Sequence, residues 1–278
     1  MDTDNLDIDA EFDQLLSRVR QRKHFAFSRF NDGEVSVLRD QSFAHPEWQL
    51  SGDKAAHFRQ ALADSLLYQH PDYLVGIPCS CREHVDGFRS YLRDNFDLSQ
   101  TQLTFGALFV NAMYPRFQHE LLPELKAYPV VLIANENTRL DCFQKHGFNV
   151  KQFFPVPNNA WLSFDQIVGK IIQYLDTHRL TDHLFLLSAG PVANIIIPAL
   201  HKRHPQNTYL DIGSSLNRQL GLPQGVRNYL QPFGWKRLAR CVWHQPTKPG
   251  QISCSTLDKS KAYRLILKLR SLSTYPME

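Results

Sequence analysis

The stretch Arg29-Phe30-Asn31-Asp32-Gly33-Glu34 ends one apolar run and precedes another that resumes at Val35. Two carboxylates two positions apart, Asp32 and Glu34, make part of an oxygen shell for a hard divalent cation such as Mn2+ or Mg2+. They leave positions open for substrate phosphates. Arg29 supplies a guanidinium able to pair with phosphate. Gly33 lets the backbone turn tightly and lets a ligand approach. An acidic pair is also common on solvated turns, so the spacing alone supports both a metal site and a plain surface turn.

Further candidates lie downstream. Ser188-Ala189-Gly190-Pro191 follows the run Leu-Phe-Leu-Leu and opens an apolar segment. Pro191 suits the first position of a helix, and backbone amides at such a start favour an anion. An ordinary strand-to-helix turn would look the same. Asp211, in Asp-Ile-Gly-Ser-Ser, can bind a sugar hydroxyl, act as a base or cap the next segment. In Pro157-Asn158-Asn159-Ala160-Trp161 the amides and indole can meet a base or sugar, or Trp161 can simply be buried where a helix begins. Asn111 and Glu136 also stand where strands are expected to end. The cluster Cys79-Ser80-Cys81-Arg82-Glu83-His84 has no second ligand pair at zinc spacing. No phosphate-binding P-loop, G-x-G-x-x-G, H-E-x-x-H or G-x-S-x-G is present, which argues against an ordinary nicotinamide enzyme.

The elements that must position these residues are legible in the hydrophobic pattern. Short apolar runs at 25–30, 73–77, 103–110, 129–134, 148–154, 183–187 and 208–212 read as strands. Amphipathic helices are expected at 9–22, 53–68, 83–94, 115–127, 138–146, 163–178 and from Pro191 through Lys202, with a helix or turn at 34–39. Asp53 and Ser163 are expected caps. Strands alternating with helices predict an α/β, Rossmann-like fold: a mainly parallel sheet with helices on both faces. Ligands in such sheets sit outside the carboxyl ends of the strands, where the candidate polar residues fall.

The 278 residues, 43% of them hydrophobic, suffice for one large domain. No apolar run approaches a membrane span. The acidic start, Met-Asp-Thr-Asp, is unlike a secretory signal. The odd, scattered set of five cysteines points to a reducing cytoplasm. Charge divides the chain. Residues 218–278 carry eleven Lys/Arg against Asp258 and Glu278, whereas residues 1–217 carry twenty against twenty-five acids. We therefore expect a main domain at 1–217 and a basic extension at 218–278, packed on it or facing an anionic partner. Ala262, Leu265, Ile266, Leu269 and Leu272 share one helical face, opposite Lys261, Arg264 and Lys268. Such a helix can pack on its own domain or rest on an anionic membrane surface. No nucleic-acid module accompanies the charge.

Four segments together resemble the GT-D type glycosyltransferases. Phe-Ser-Arg-Phe-Asn-Asp-Gly-Glu is similar to that family's "RFGDGE" signature, with Asn31 in place of the first glycine. Val-Pro-Asn-Asn-Ala-Trp, Leu-Ser-Ala-Gly-Pro-Val and Tyr-Leu-Asp-Ile-Gly-Ser-Ser resemble its later segments, in the same order. The resemblance implies a Rossmann-like fold and a divalent cation held by the D-x-E of Asp32 and Glu34. It also implies a nucleotide-diphosphate sugar donor, a UDP-sugar foremost, bound near Arg29, Asn31, Gly33, Asn111, Asn158, Asn159 and Ser188 to Pro191. Asp211 would be a catalytic candidate and the acceptor a glycan or a lipid-linked sugar. After Asp-Ile-Gly this chain departs from the family's His and acidic residues with Ser214 and Ser215, which favours as an alternative a non-catalytic sugar-nucleotide or polysaccharide-binding protein; a metal-dependent phosphoesterase is a third reading.

Overall fold

The computed structural model describes residues 7–41, 43–45, 48–50, 54–78, 87–110 and 113–222. Asp53, the Cys79–His84 cluster, Asn111 and the expected basic helix at 258–272 lie outside the described residues. Seven strands form one sheet: β1 (Ala26–Arg29), β4 (Tyr73–Ile77), β5 (Gln102–Phe105), β6 (Pro129–Asn135), β7 (Asn149–Val156), β8 (Leu184–Ser188) and β9 (Thr208–Asp211). Their spatial order is β5-β4-β1-β9-β8-β6-β7. Every pairing in this sheet is parallel, as the alternating pattern predicts. The central strands read as unbroken apolar runs because helices cover both their faces.

On one face pack α3 (Lys54–Leu66), α7 (Phe164–His178) and α8 (Val192–Arg203), through Leu62, Leu66, Ile171, Leu175, Ile196 and Leu200. On the other lie α1 (Ile8–Arg20), a helical run α5 from Tyr114 through Lys126, and α6 (Leu140–Lys145). These bury Phe12, Leu16, Phe117, Leu125 and Phe143. Two shorter helices, α2 (Asp32–Leu38) and α4 (Phe88–Asn95), follow β1 and β4. Among the described residues no helix is long and apolar enough to cross a membrane.

The departures from expectation have local causes. The helical run α5 does not break at Pro123. It inserts a π-turn at Phe117–Leu121 immediately before it, which accommodates a residue without an N–H. The strand expected to reach Val110 stops at Phe105. Gly106 there still donates to the Ile77 carbonyl at 2.9 Å, but it packs so tightly under Asn31 that a Cβ would lie 2.5 Å from Asn31 Oδ1. Ser163 stands at the start of α7 without a side-chain cap bond, because a 3-10 turn, Ala160–Ser163, leads directly into the helix. Pro191 is the residue before the first helical position of α8 rather than that position itself. The pattern also missed an antiparallel hairpin, β2 (Phe43–His45) with β3 (Trp48–Leu50). Beyond the boundary read at residue 217, Leu220 and Leu222 are still buried in the main core.

Candidate functional site

The sheet opens at its centre. Strand β1 pairs with β4 through Arg29–Gly76, but with β9 only as far as Phe27–Leu210. Beyond that point β1 and β9 part, and the crevice at the carboxyl edge, where such sheets bind ligands, is packed with the buried side chains of Arg29 and Asp211. The freed backbone of Arg29 is not left bare. The side-chain amide of buried Asn194, from α8, accepts from Arg29 N–H and donates to Arg29 C=O, each at 3.0 Å. Asn194 is polar inside the apolar run Val-Ala-Asn-Ile-Ile-Ile, and that misfit is the sequence signal that could have found it.

Asp32 and Glu34 follow at once, in the first turn of α2. The structure thus places them on a helix start rather than a tight turn. Asn31 is extended (φ −103°), and Gly33 is buried inside the helix. Negative side chains suit this end of a helix. Asp32 is exposed, and its Oδ1 accepts from Gly33 N–H at 3.2 Å. Glu34 is half-buried, and its Oε2 accepts from Asn31 N–H at 2.9 Å, one arm of a capping box. Burial, then repulsion from Asp211 and Asp32, pushes the Glu34 carboxyl up to about 7. Added positive charge beside Glu34 would relieve that repulsion, so the pair fits a cation. Among the described residues no three His, Cys, Asp or Glu side chains gather to hold an ion alone. A cation at Asp32 and Glu34 would therefore need water or substrate oxygens as its remaining ligands.

Across the crevice, Asp211 ends β9. Its Oδ1 accepts from Arg29 Nη2 at 3.3 Å and from Gly213 N–H at 2.9 Å. Both side chains of this ion pair are 7% exposed. Burial raises the Asp211 carboxyl above the usual range, against the pull of Arg29. The guanidinium also donates to the Gly106 carbonyl at 3.5 Å, and it lies against the backbone of Gly213. A Cβ at Gly213, whose φ is +45°, would fall 1.7 Å from Arg29 Nη2. Arg29, read in the sequence as a phosphate ligand, is thus a buried strut between β1 and β9.

A second concavity lies at the carboxyl ends of β6, β7 and β8. This shallow cleft holds about 30 Å3 of accessible space and is lined by Asn135, Val156, Pro157, Ser188, Ala189 and Gly190. Trp48 of β3 and Trp161 wall it. Asn158 sits at its edge, accepting from Asn135 Nδ2 at 3.1 Å. Asn159 does other work, because its Oδ1 accepts from Gln49 N–H at 2.7 Å while Trp161 Nε1 donates to Gln49 C=O at 2.9 Å. These two bonds dock β3 over the cleft. Trp161 is buried, as the simpler sequence reading had it.

No protein-family model and no curated protein matches the sequence. Two solved structures match the chain in three dimensions. Both are of domain of unknown function 1792, one of them its selenomethionine-substituted form, and the other is described as having a distinct glycosyltransferase fold. Each superposes with a TM-score of 0.53 at 15% identity, over 78% of this chain and 83% of the other. This chain has that fold. In this glycosyltransferase fold the structure gathers Arg29, Asn31, Asp32, Glu34 and Asp211 at one crevice, and Asn158 and Ser188 to Pro191 at the neighbouring cleft. Asn194, Gly106 and Trp48 complete the two sites and were not anticipated.

Proposed function

We propose that the protein is a metal-dependent glycosyltransferase that takes a nucleotide-diphosphate sugar, with a UDP-sugar as the favoured donor. One observation carries the reading. On a glycosyltransferase fold, two carboxylates, Asp32 and Glu34, stand in the first turn of the helix that follows β1, beside the point where β1 and β9 part. Asp32 and Glu34 would hold Mn2+ or Mg2+ together with oxygens of the donor. A cation bound there would take up the charge that develops on the leaving diphosphate, which lowers the barrier rather than merely tightening binding.

The chain's own groups divide the remaining work. Asn31 N–H fixes one oxygen of Glu34 and so aims its carboxylate. Arg29 and Gly213 N–H hold Asp211 in place, which gives Asp211 a positioning role at the crevice wall. A glycan or lipid-linked acceptor, met at the cytoplasmic face of a membrane, fits the basic tail at 218–278.

The test is donor turnover by the full chain with Mn2+. Asp32→Ala should lower it at least a hundredfold with melting little changed, since an exposed acid in a first helical turn contributes only about 0.5 kcal/mol. Turnover that survives both this substitution and chelator would overturn the metal role. Phosphate release from simple esters without an acceptor would instead identify a phosphoesterase. Nucleotide binding without turnover would identify a binding protein.

A further inference from the structure

We propose that Asn194 is a positioning residue for the metal site: by clasping the last residue of β1, it fixes where Asp32 and Glu34 stand. The inference rests on the metal-dependent reading and deepens it. Its first ground is the place of the clasp. In a parallel pairing a residue turns its N–H and C=O to one neighbouring strand, and the next residue turns to the other. Ala26 and Phe30 donate to the Asp72 and Gly76 carbonyls on the β4 side, and Phe25 C=O accepts from Tyr209 on the β9 side. Arg29, like Phe25, therefore faces β9, whose pairing with β1 has already ended at Phe27–Leu210. Asn194 stands in for the missing strand, its Oδ1 accepting from Arg29 N–H and its Nδ2 donating to Arg29 C=O.

The second ground is residue type. A side-chain amide offers a carbonyl and an N–H, as a peptide group does, so Asn194 gives Arg29 what a residue of β9 would have given. Aspartate could not donate, and leucine could do neither. Asn194 is buried among Val192, Ala193, Ile195 and Ile196 of α8. A polar group in such surroundings is costly without partners, and Arg29 supplies both of them.

The third ground is the short link from clasp to carboxylates. Three successive amides are each held by a different element. Arg29 N–H is held by Asn194 of α8, Phe30 N–H by Gly76 C=O of β4 at 2.7 Å, and Asn31 N–H by Glu34 Oε2 of α2 at 2.9 Å. On the β5 side, Asn31 lies over Gly106, where a Cβ would be 2.5 Å from its Oδ1. The chain thus leaves β1 along one path, and Asp32 begins α2 three residues after the clasp. A ligand set works only when held to within about 0.5 Å. An amide that merely satisfied the core could sit anywhere along the sheet. This one holds the last two backbone groups of β1 before the carboxylates.

The experiment uses the full-length protein and two readouts besides turnover. Mn2+ alone is titrated and followed by the spin-resonance signal of the free ion, and amide exchange at Asn31 is measured in EDTA. Asn194→Ala should weaken Mn2+ at least about tenfold, the scale of a lost outer-shell partner, and should speed exchange at Asn31 by a similar factor. Leu200→Ala is the control for stability alone. It lies in the same helix, is buried in the same core and should lower the melting transition, yet it should move neither readout. If Asn194→Ala does not fold, Asn194→Ser leaves a smaller gap and should shift both readouts in the same direction. Exchange at Asn31 unmoved by the Asn194 variants, Mn2+ affinity unmoved in a protein that binds the ion, or equal shifts from Leu200→Ala would each overturn the proposal. If the wild type binds no Mn2+ but exchange at Asn31 responds to Asn194→Ala alone, the clasp stands and the metal reading falls. If Asp32→Ala abolishes Mn2+ binding while Asn194→Ala changes nothing, the clasp falls and the metal reading stands.

Discussion

Gly213→Ala isolates the strut between β1 and β9. The added methyl meets two obstacles. At φ +45° a residue with a Cβ costs roughly 1–2 kcal/mol. The methyl would also lie 1.7 Å from Arg29 Nη2, so the guanidinium must leave. Gly106 C=O, the Phe109 ring and Asp211 surround it, so leaving means breaking the ion pair. Loss of one partner of a buried pair costs roughly 3–5 kcal/mol, and the sum of the two effects is about 5 kcal/mol. That is a large part of an ordinary domain's stability. Urea unfolding should show a much lower midpoint with an unchanged slope. The same methyl placed in an Arg29→Met, Asp211→Asn background should cost only the backbone term, roughly 1–2 kcal/mol, because no guanidinium or charge remains to displace. A Gly213→Ala protein within 1 kcal/mol of the wild type, or an alanine cost equal in both backgrounds, would refute the reasoning.

Three further outcomes follow from the same geometry. Glu34 is held above its ordinary pKa of 4.5, at about 7, so the folded state keeps a proton the unfolded chain has released and stability falls as pH rises through that window. Glu34→Gln can still accept from Asn31 N–H, and in EDTA it should be more stable than wild type at pH 8 by about 1–2 kcal/mol, with the gap closing near pH 5, while donor turnover is lost; a less stable variant at pH 8 would contradict this. At the opposite end of the sheet, burial and His70 depress His201 from 6.5 to about 4. The unfolded chain therefore binds the proton first, and stability should drop by on the order of 2 kcal/mol from pH 7 to pH 4, a slope that urea titrations of His201→Gln should find reduced. Asn159→Ala removes the acceptor of Gln49 N–H from a residue at φ +53°, and should speed amide exchange at Gln49 about tenfold while leaving β6 protection intact.

Much of the fold was legible because buried parallel strands betray themselves as apolar runs. Val-Val-Leu-Ile-Ala and Leu-Phe-Leu-Leu allowed no other reading once helical segments were seen between them. The β2–β3 hairpin was not legible. Strands of three residues are too short to show alternation, and β3 is held by Asn159 and Trp161, far away in sequence. The site divided in a similar way. Asp32 and Glu34 stood out as candidates from their spacing and their place at a strand end. The role of Arg29 did not, since its partner Asp211 lies 182 positions away and a guanidinium near acids reads equally well as a ligand or a strut. Burial decides between them, and burial belongs to the folded chain.

The anchoring of β3 has an evolutionary consequence. Asn159 and Trp161 grip the main chain of Gln49, not any side chain of the hairpin. Asn159 anchors that wall from outside the cleft, whereas Trp161 both anchors the hairpin and lines the cleft. Position 48 is an indole packed in the main core and so is tied to both the hairpin and the sheet, whereas the carboxylates of the crevice stand on different elements altogether. A lineage built on this scaffold could reshape the cleft by substitutions in its wall while the carboxylates of the crevice stay untouched.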